Sequence, residues 1–368
     1  MIIFLLLAET ILLSAHAFVY FSLTRVFPAL SSAQRTALFG SLLFLSFSFI
    51  VASILVHVFE HQTVHLLYLI AGWWLGFLTN LILALLALWM IVLIGRVVHL
   101  GVPLPAAGIL AILLAVFVSA HGAWNAFHPQ VKEVTVEIKD LPEEWQGKRV
   151  VQLSDIHLGS IYRADFLQSV VNQVNAAEPE AVFITGDLFD GMDGMLDDLV
   201  LPLRSLRPSR GTYFITGNHE TYLGVKESLD ALQGTGVQIL DDEMADLGGI
   251  VAIGMSYPEQ GTIESTREKF FALQPQSTGR PIILLYHAPI YVEEFARAGV
   301  SLQLSGHTHR GQQYPFNLIT SFMYKGFDYG LHTIGDYSIY TTNGVGTWGP
   351  AMRVGNAPEI VVITLENK

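Results

Sequence analysis

Six histidines follow residue 130, and five of them fall into short polar clusters. Reading forward, VVQLS leads into Asp155 and His157, VFIT into Gly186 and Asp187, and YFIT into Gly217, Asn218 and His219. Further on, IILLY leads into His287, and LQLS into Gly306, His307 and His309. Carboxylate, amide and imidazole donors without thiolates suit Mn²⁺, Fe²⁺ or Zn²⁺. Asp155, His157, Asp187, Asn218, His287, His307 and His309 exceed what one four- to six-coordinate ion with open positions uses, so two ions sharing a carboxylate are expected. Any one of these residues alone reads as a satisfied polar group at a strand end; all the clusters together do not. The glycines before Asp187, Asn218 and His307 permit unusual backbone angles or close approach where a strand turns into its ligand loop.

The elements that must position these side chains are short. Val150 to Leu153, Val182 to Thr185, Tyr213 to Thr216, Ile282 to Tyr286 and Leu302 to Leu304 are brief, β-branched runs bounded by turn residues, as buried strands are. Val131 to Lys139 alternates apolar and polar residues, and Ile250 to Gly254, His332 to Thr342 and Ile360 to Leu365 are further strand-like runs. Amphipathic stretches at Arg163 to Ala177, Met195 to Leu206 and Val225 to Gln233 alternate with the strands, so the spacing predicts an α/β domain with one or two sheets. In such sheets ligands bind outside the carboxyl ends of the strands. The clusters therefore converge on one crevice.

In order, Asp155-Ile156-His157, Gly186-Asp187-Leu188-Phe189-Asp190, Gly217-Asn218-His219-Glu220, His287 and Gly306-His307-Thr308-His309 resemble the full signature of the calcineurin-like metallophosphoesterases. The last block continues as Gly311-Gln312 after Arg310, as in the bacterial membrane-associated phosphoesterases, some of which hydrolyse the pyrophosphate of UDP-2,3-diacylglucosamine. The resemblance implies a four-layer αββα sandwich. It also implies one metal on Asp155, His157, Asp187 and His309 and a second on Asp187, Asn218, His287 and His307, with Asp187 bridging. His219 would act as general acid to the leaving oxygen, oriented by Asp190. Two cations about 3.5 to 4 Å apart clamp phosphate oxygens and generate hydroxide near neutral pH for in-line attack on phosphorus. Arg310 reads equally well as a phosphate contact and as a structural residue.

The N-terminal part is a different polymer. Residues 1 to 130 carry only Arg25, Arg35, Arg96, Glu9 and Glu60, which leaves 17 basic and 30 acidic residues, or −13, for the remainder. With 51% hydrophobic and 14% charged residues overall, the first part is no ordinary water-soluble domain. Ile2 to Leu23, Ala37 to Phe59, Leu66 to Ile94 and Leu104 to about Phe127 each reach the roughly 20 residues of a membrane span. The expected division is an all-α membrane domain of four transmembrane helices at 1–127 and a phosphoesterase domain at 131–368. Trp73, Trp74, Trp89 and Trp124 suit interfacial depth. Glu9 and His16 share one face of the first span, where Glu9 near the headgroups and His16 bonded to a neighbouring helix is the expectation. His57, His61 and His65 read as interfacial histidines without a ligand, since no supporting residues accompany them.

Arg25 and Arg35 lie after span one and Arg96 after span three, which by the positive-inside rule puts both termini and the catalytic domain outside the cytoplasm of a bacterial inner membrane. No cysteine is present, which removes disulfides and thiol chemistry. An acidic domain without a Lys/Arg run argues against a sequence-independent nucleic-acid binder. The expected function is a membrane-anchored phosphoesterase that opens a phosphomonoester, phosphodiester or pyrophosphate bond of a lipid-linked or envelope substrate. Its alternatives are a UDP-2,3-diacylglucosamine pyrophosphatase on the cytoplasmic face, and a membrane sensor or transporter with a regulatory phosphoesterase domain. The substrate bond, the metal and the oligomeric state stay open at this level.

Overall fold

The computed structural model describes residues 2–59, 61–191, 196–258, 263–277 and 279–368. Glu60, counted in the second loop, and Met195, at the start of one expected helix, lie outside the described residues. Two compact units divide the chain, one of Met1–Trp124 with Gly349–Val354 and the other of Asn125–Trp348 with Gly355–Lys368.

The first unit is built on helices α1 (Ile2–Val26), α2 (Ser32–Val58), α3 (Gln62–Val97) and α4 (Leu104–Ala126), all long and apolar enough to cross a membrane. Helix α2 starts ahead of its apolar stretch because Ser31 and Gln34 form a reciprocal capping box. Several polar groups inside the bundle are paired, as a setting without water favours, although both Glu9 carboxylate oxygens are buried without a hydrogen-bond partner. Trp74 Nε1 donates to His16 Nε2 at 3.0 Å, Trp89 Nε1 to Ser22 Oγ at 3.0 Å, and Asn80 Nδ2 to Ser119 Oγ at 2.9 Å. Trp74 and Trp89 thus link helices, a use that hydropathy alone did not reveal. The segment Gly349–Val354 belongs to this unit although it is distant in sequence. Its Ala351 carbonyl accepts from Trp73 Nε1 at 3.1 Å, and Arg353 N donates to Gly122 O at 2.9 Å.

The second unit carries two six-stranded sheets. In chain order its elements are β1 (Gln130–Ile138), β2 (Arg149–Leu153), α5 (Ala164–Ala176), β3 (Ala181–Thr185), α6 (Leu196–Val200), β4 (Thr212–Ile215), α7 (Asn218–Leu223) and α8 (Val225–Ala231). There follow β5 (Val237–Ile239), β6 (Glu243–Asp246), β7 (Val251–Met255), α9 (Ile263–Leu273), β8 (Ile282–Tyr286), α10 (Val292–Arg297) and β9 (Leu302–Ser305). The last are α11 (Phe316–Met323), β10 (Gly330–Ile334), β11 (Tyr337–Thr341) and β12 (Glu359–Asn367). One sheet runs β1-β12-β2-β3-β4-β5, the other β10-β11-β9-β8-β7-β6. Strands β2 to β5 are mutually parallel, as are β7, β8, β9 and β11.

Alternation along the strands makes the layers. On β3, Val182 and Ile184 pack with Leu167, Val170, Val171 and Val174 of α5, whereas Ala181 and Phe183 face the core between the sheets. On β8, Ile283 and Leu285 enter that shared core while Ile282, Leu284 and Tyr286 pack with Phe270 and Phe295. Both of these strands are apolar on both faces because both are covered, which is why each reads as a continuous run. The result is the αββα sandwich. The run from His332 to Thr342 is not one strand but the hairpin β10–β11, broken at Gly335 with φ of 64°.

Candidate metal centre

All five polar clusters sit at the carboxyl ends of parallel strands. Asp155 and His157 follow β2, Asp187 follows β3, and Asn218 and His219 open α7 directly after β4; His287 follows β8, and His307 and His309 follow β9. Gln152 of β2 donates to Ser305 O of β9 at 2.9 Å, and His287 Nδ1 to Thr185 O of β3 at 2.8 Å, so the two sheets are joined just beneath the site.

Asp155, His157, Asp187, His307 and His309 all adopt left-handed backbone, with φ of 52°, 54°, 51°, 72° and 48°. Such conformations cost on the order of 1–3 kcal/mol each in non-glycine residues and persist only where the surroundings over-determine them. Here the side chains hold neighbouring loops. Both Asp155 oxygens accept from His307 N at 3.0 Å, and Asp187 Oδ1 accepts from His219 N at 2.9 Å. The preceding glycines serve two purposes. Gly186 has φ of 92°, whereas Gly217 and Gly306 permit close approach, since a Cβ there would collide with the Asp187 and Asp155 carboxylates.

The donor atoms converge. His157 Nε2 lies 3.0 Å from His309 Nε2, which is 3.4 Å from Asp155 Oδ1. His287 Nε2 lies 3.1 Å from Asp187 Oδ2 and 3.2 Å from His307 Nδ1. Among the described residues, three groups have ligand atoms within 4.8 Å of one another: Asp155, His157 and His309; Asp187, His287 and His307; and His157, Asp187 and His219. Asp187 occurs in two of them. Asn218 is buried beside them and its Oδ1 has no hydrogen-bond partner. Facing ring nitrogens, converging carboxylates and an orphaned amide oxygen fit a pair of divalent cations.

Charge is concentrated here. Burial alone would raise the Asp187 carboxyl, but the charged His287 imidazole and their hydrogen bond hold it well below the usual carboxylate range. Burial opposes the charge on His287, yet Asp187 pushes its pKa up to about 10. His307, partly buried and facing His287, is pushed down to about 4 by desolvation and the His287 charge.

His219 Nδ1 donates to the backbone carbonyl of Asp190 at 2.8 Å, leaving Nε2 to point elsewhere. Asp190 therefore orients His219 through its main chain. Its carboxylate stands 3.5 Å from His157 Nδ1 instead. Arg310 stacks on Tyr329, with its guanidinium carbon 4.3 Å from the ring centroid, which accounts for it structurally.

The sequence reading gave no role to three residues: Glu220, quoted only within a motif, Tyr222 and Trp348. Glu220, fully buried, accepts from the backbone N–H groups of Asp187 at 3.0 Å, Gly217 at 2.6 Å and Phe189 at 3.1 Å, tying two ligand loops together. Burial and the Asp187 charge raise its pKa to about 7. A glutamate at the third position of a helix, placed to reach back to the Gly217 N–H as in half of a capping box, was the available signal. Gln312 exchanges two hydrogen bonds with the Trp348 backbone, at 3.0 and 3.1 Å, and the Trp348 and Tyr222 rings stand 6.1 and 5.3 Å from His219.

A phosphate-sized anion facing two cations at strand ends is the chemistry of a dinuclear metallohydrolase. Residues 148–311 match the model of the calcineurin-like phosphoesterases. An uncharacterized metallophosphoesterase of Campylobacter jejuni is 34% identical over 266 residues, which are 70% of this chain and 69% of that protein. A transmembrane protein with metallophosphoesterase domain from Danio rerio is 34% identical over 278 residues, 70% of this chain and 62% of that one. For an uncharacterized metallophosphoesterase of Aquifex aeolicus the identity is 31% over 260 residues, 69% of this chain and 98% of the relative. The chain belongs to the calcineurin-like phosphoesterase family. Its second unit carries that family's metal-dependent phosphoester hydrolase domain, and four apolar helices precede it.

Proposed function

We propose that the protein is a membrane-anchored phosphoesterase with a dinuclear centre, its membrane part at 1–127 and its catalytic part at 131–368, acting on a lipid-linked or envelope phosphoester or pyrophosphate. The observation that carries this reading is that the Asp155–His157–His309 and Asp187–His287–His307 groups converge at the carboxyl ends of β2, β3, β8 and β9, with Asp187 also within ligand distance of His157. Asp155, His157, Asp187 and His309 would hold one ion, and Asp187, Asn218, His287 and His307 the other; the donor set suits Mn²⁺, with Fe²⁺ and Zn²⁺ as competitors. When bound, the ions clamp phosphate oxygens and supply an acidic water at neutral pH. His219, held at Nδ1 by the Asp190 carbonyl, presents Nε2 toward the leaving oxygen as proton donor. Asp190 supports His157 with its carboxylate.

The arginines Arg25, Arg35 and Arg96 support a catalytic domain outside the cytoplasm of a bacterial inner membrane. The full chain, purified with Mn²⁺, tests the centre. Asp187→Asn should lose both bound ions, measured by elemental analysis, together with turnover of aryl phosphomonoesters and diesters. Two ions per chain with near-normal turnover in that variant would overturn the assignment.

A further inference from the structure

Helix α11 turns its polarity inside out. Phe316, Leu318, Ile319, Phe322 and Met323 are exposed, Phe322 at 87%, and Tyr314 just ahead of them is exposed as well. Asn317, Thr320 and Ser321 are the half-buried ones, and Thr320 Oγ1 donates to Asp328 Oδ2 at 2.8 Å. A surface helix facing water does the reverse, burying its apolar stripe and wetting its polar one. The apolar side of α11 is therefore made for a non-aqueous neighbour.

This helix is fastened to the metal-ligand loop. Thr308, between His307 and His309, donates through Oγ1 to the carbonyl of the same Asp328 at 2.7 Å. Gly311 abuts the backbone of Phe316 and Asn317 so closely that a Cβ would collide with it. Tyr324, which ends α11, has its ring 6.1 Å from that of His307.

The neighbour is named by the chain itself. Only residues 127 to 129 separate the end of membrane-spanning α4 at Ala126 from the start of β1 at Gln130, so a bilayer is always within reach of this unit. Exposed Lys325, next after Tyr324, suits headgroup phosphates at the rim of an apolar helix. We propose that α11 beds its apolar side in the headgroup–acyl boundary of the membrane that holds the four spans, and that the phosphate cleaved at the adjoining centre is carried by a lipid of that membrane. The second half rests on the phosphoesterase reading above; the first half does not.

The native chain has no cysteine, so single thiols can be placed at will. Full-length Phe322→Cys, labelled with a small fluorophore in phosphatidylcholine/phosphatidylglycerol vesicles, should be quenched at least about twofold by lipids carrying a nitroxide near the headgroup, the depth of an interfacial helix. The same label at Lys226→Cys, on an exposed side chain of α8, should not be. Equal quenching at both positions, or shielding of the Phe322 label from water without quenching by lipid, as a second copy would produce, overturns the membrane contact. The doubly substituted Ile319→Ser, Phe322→Ser chain should lose at least about tenfold in hydrolysis of a vesicle-borne phospholipid while keeping its rate on a soluble aryl phosphate. Equal rates on both substrates relative to the unaltered chain would overturn the lipid substrate. A quenched label in a chain that hydrolyses neither substrate would sink the phosphoesterase reading and leave the membrane contact standing.

Discussion

Asp190 meets His219 and His157 with different atoms: its backbone carbonyl accepts from His219 Nδ1 at 2.8 Å, and its carboxylate lies 3.5 Å from His157 Nδ1. Removing the side chain should therefore leave His219 oriented and deprive His157, a proposed metal ligand, of its support. Asp190→Ala should weaken metal affinity by about 10- to 100-fold, the usual cost of losing such a partner. Activity should recover at saturating Mn²⁺, which a titration of rate against metal reads directly. A rate defect that excess metal leaves untouched would mean that the carboxylate serves His219 after all.

His219→Ala should behave in the opposite way. Both ions should stay bound while the rate falls by roughly 10² to 10⁴, the range for a lost general acid. The loss should shrink for nitrophenyl esters, whose leaving groups need little protonation. His219 also lies in a ligand-distance group with His157 and Asp187, so metal loss in this variant would make it a ligand.

Gly306→Ala tests close approach without any question of left-handed backbone. The added methyl would strike Ser154 and the Asp155 carboxylate, which holds the His307 amide. Metal content should drop and thermal stability should fall by about 1–3 kcal/mol, as overpacking a tight interior does. Full occupancy and an unchanged melting temperature would show that the loop yields at little cost.

Topology is open to direct measurement. With Arg25, Arg35 and Arg96 on the cytoplasmic side, Lys132 and all that follows lie outside, and protease added to intact spheroplasts should remove the catalytic domain. Protection of the domain would reverse the orientation and bring back a cytoplasmic-face intermediate such as UDP-2,3-diacylglucosamine as substrate. The proposed metal centre is indifferent to this outcome, because its candidate ligands come from strand ends within one unit.

The kind of site was written in local sequence. Each ligand cluster follows its own apolar run within a few residues, so strand, turn and donor could be read together from VFIT-Gly186-Asp187 or LQLS-Gly306-His307. The four apolar helices were legible for the same reason, since hydropathy accumulates along contiguous residues. What tertiary structure decided lies between distant segments. That Asp190 serves His219 by its carbonyl and His157 by its carboxylate depends on how the loops after β2, β3 and β4 pack. Glu220 gains its three amide donors only when the turn after β3 meets α7. The left-handed backbone at five candidate ligands cannot be read from residue type, because Asp and His adopt it only where surrounding contacts outweigh its cost. Likewise FNLITSFM is simply an amphipathic helix as a string of letters. Which side turns inward was settled by Asp328 accepting from Thr320, and that choice put five apolar side chains on the outside.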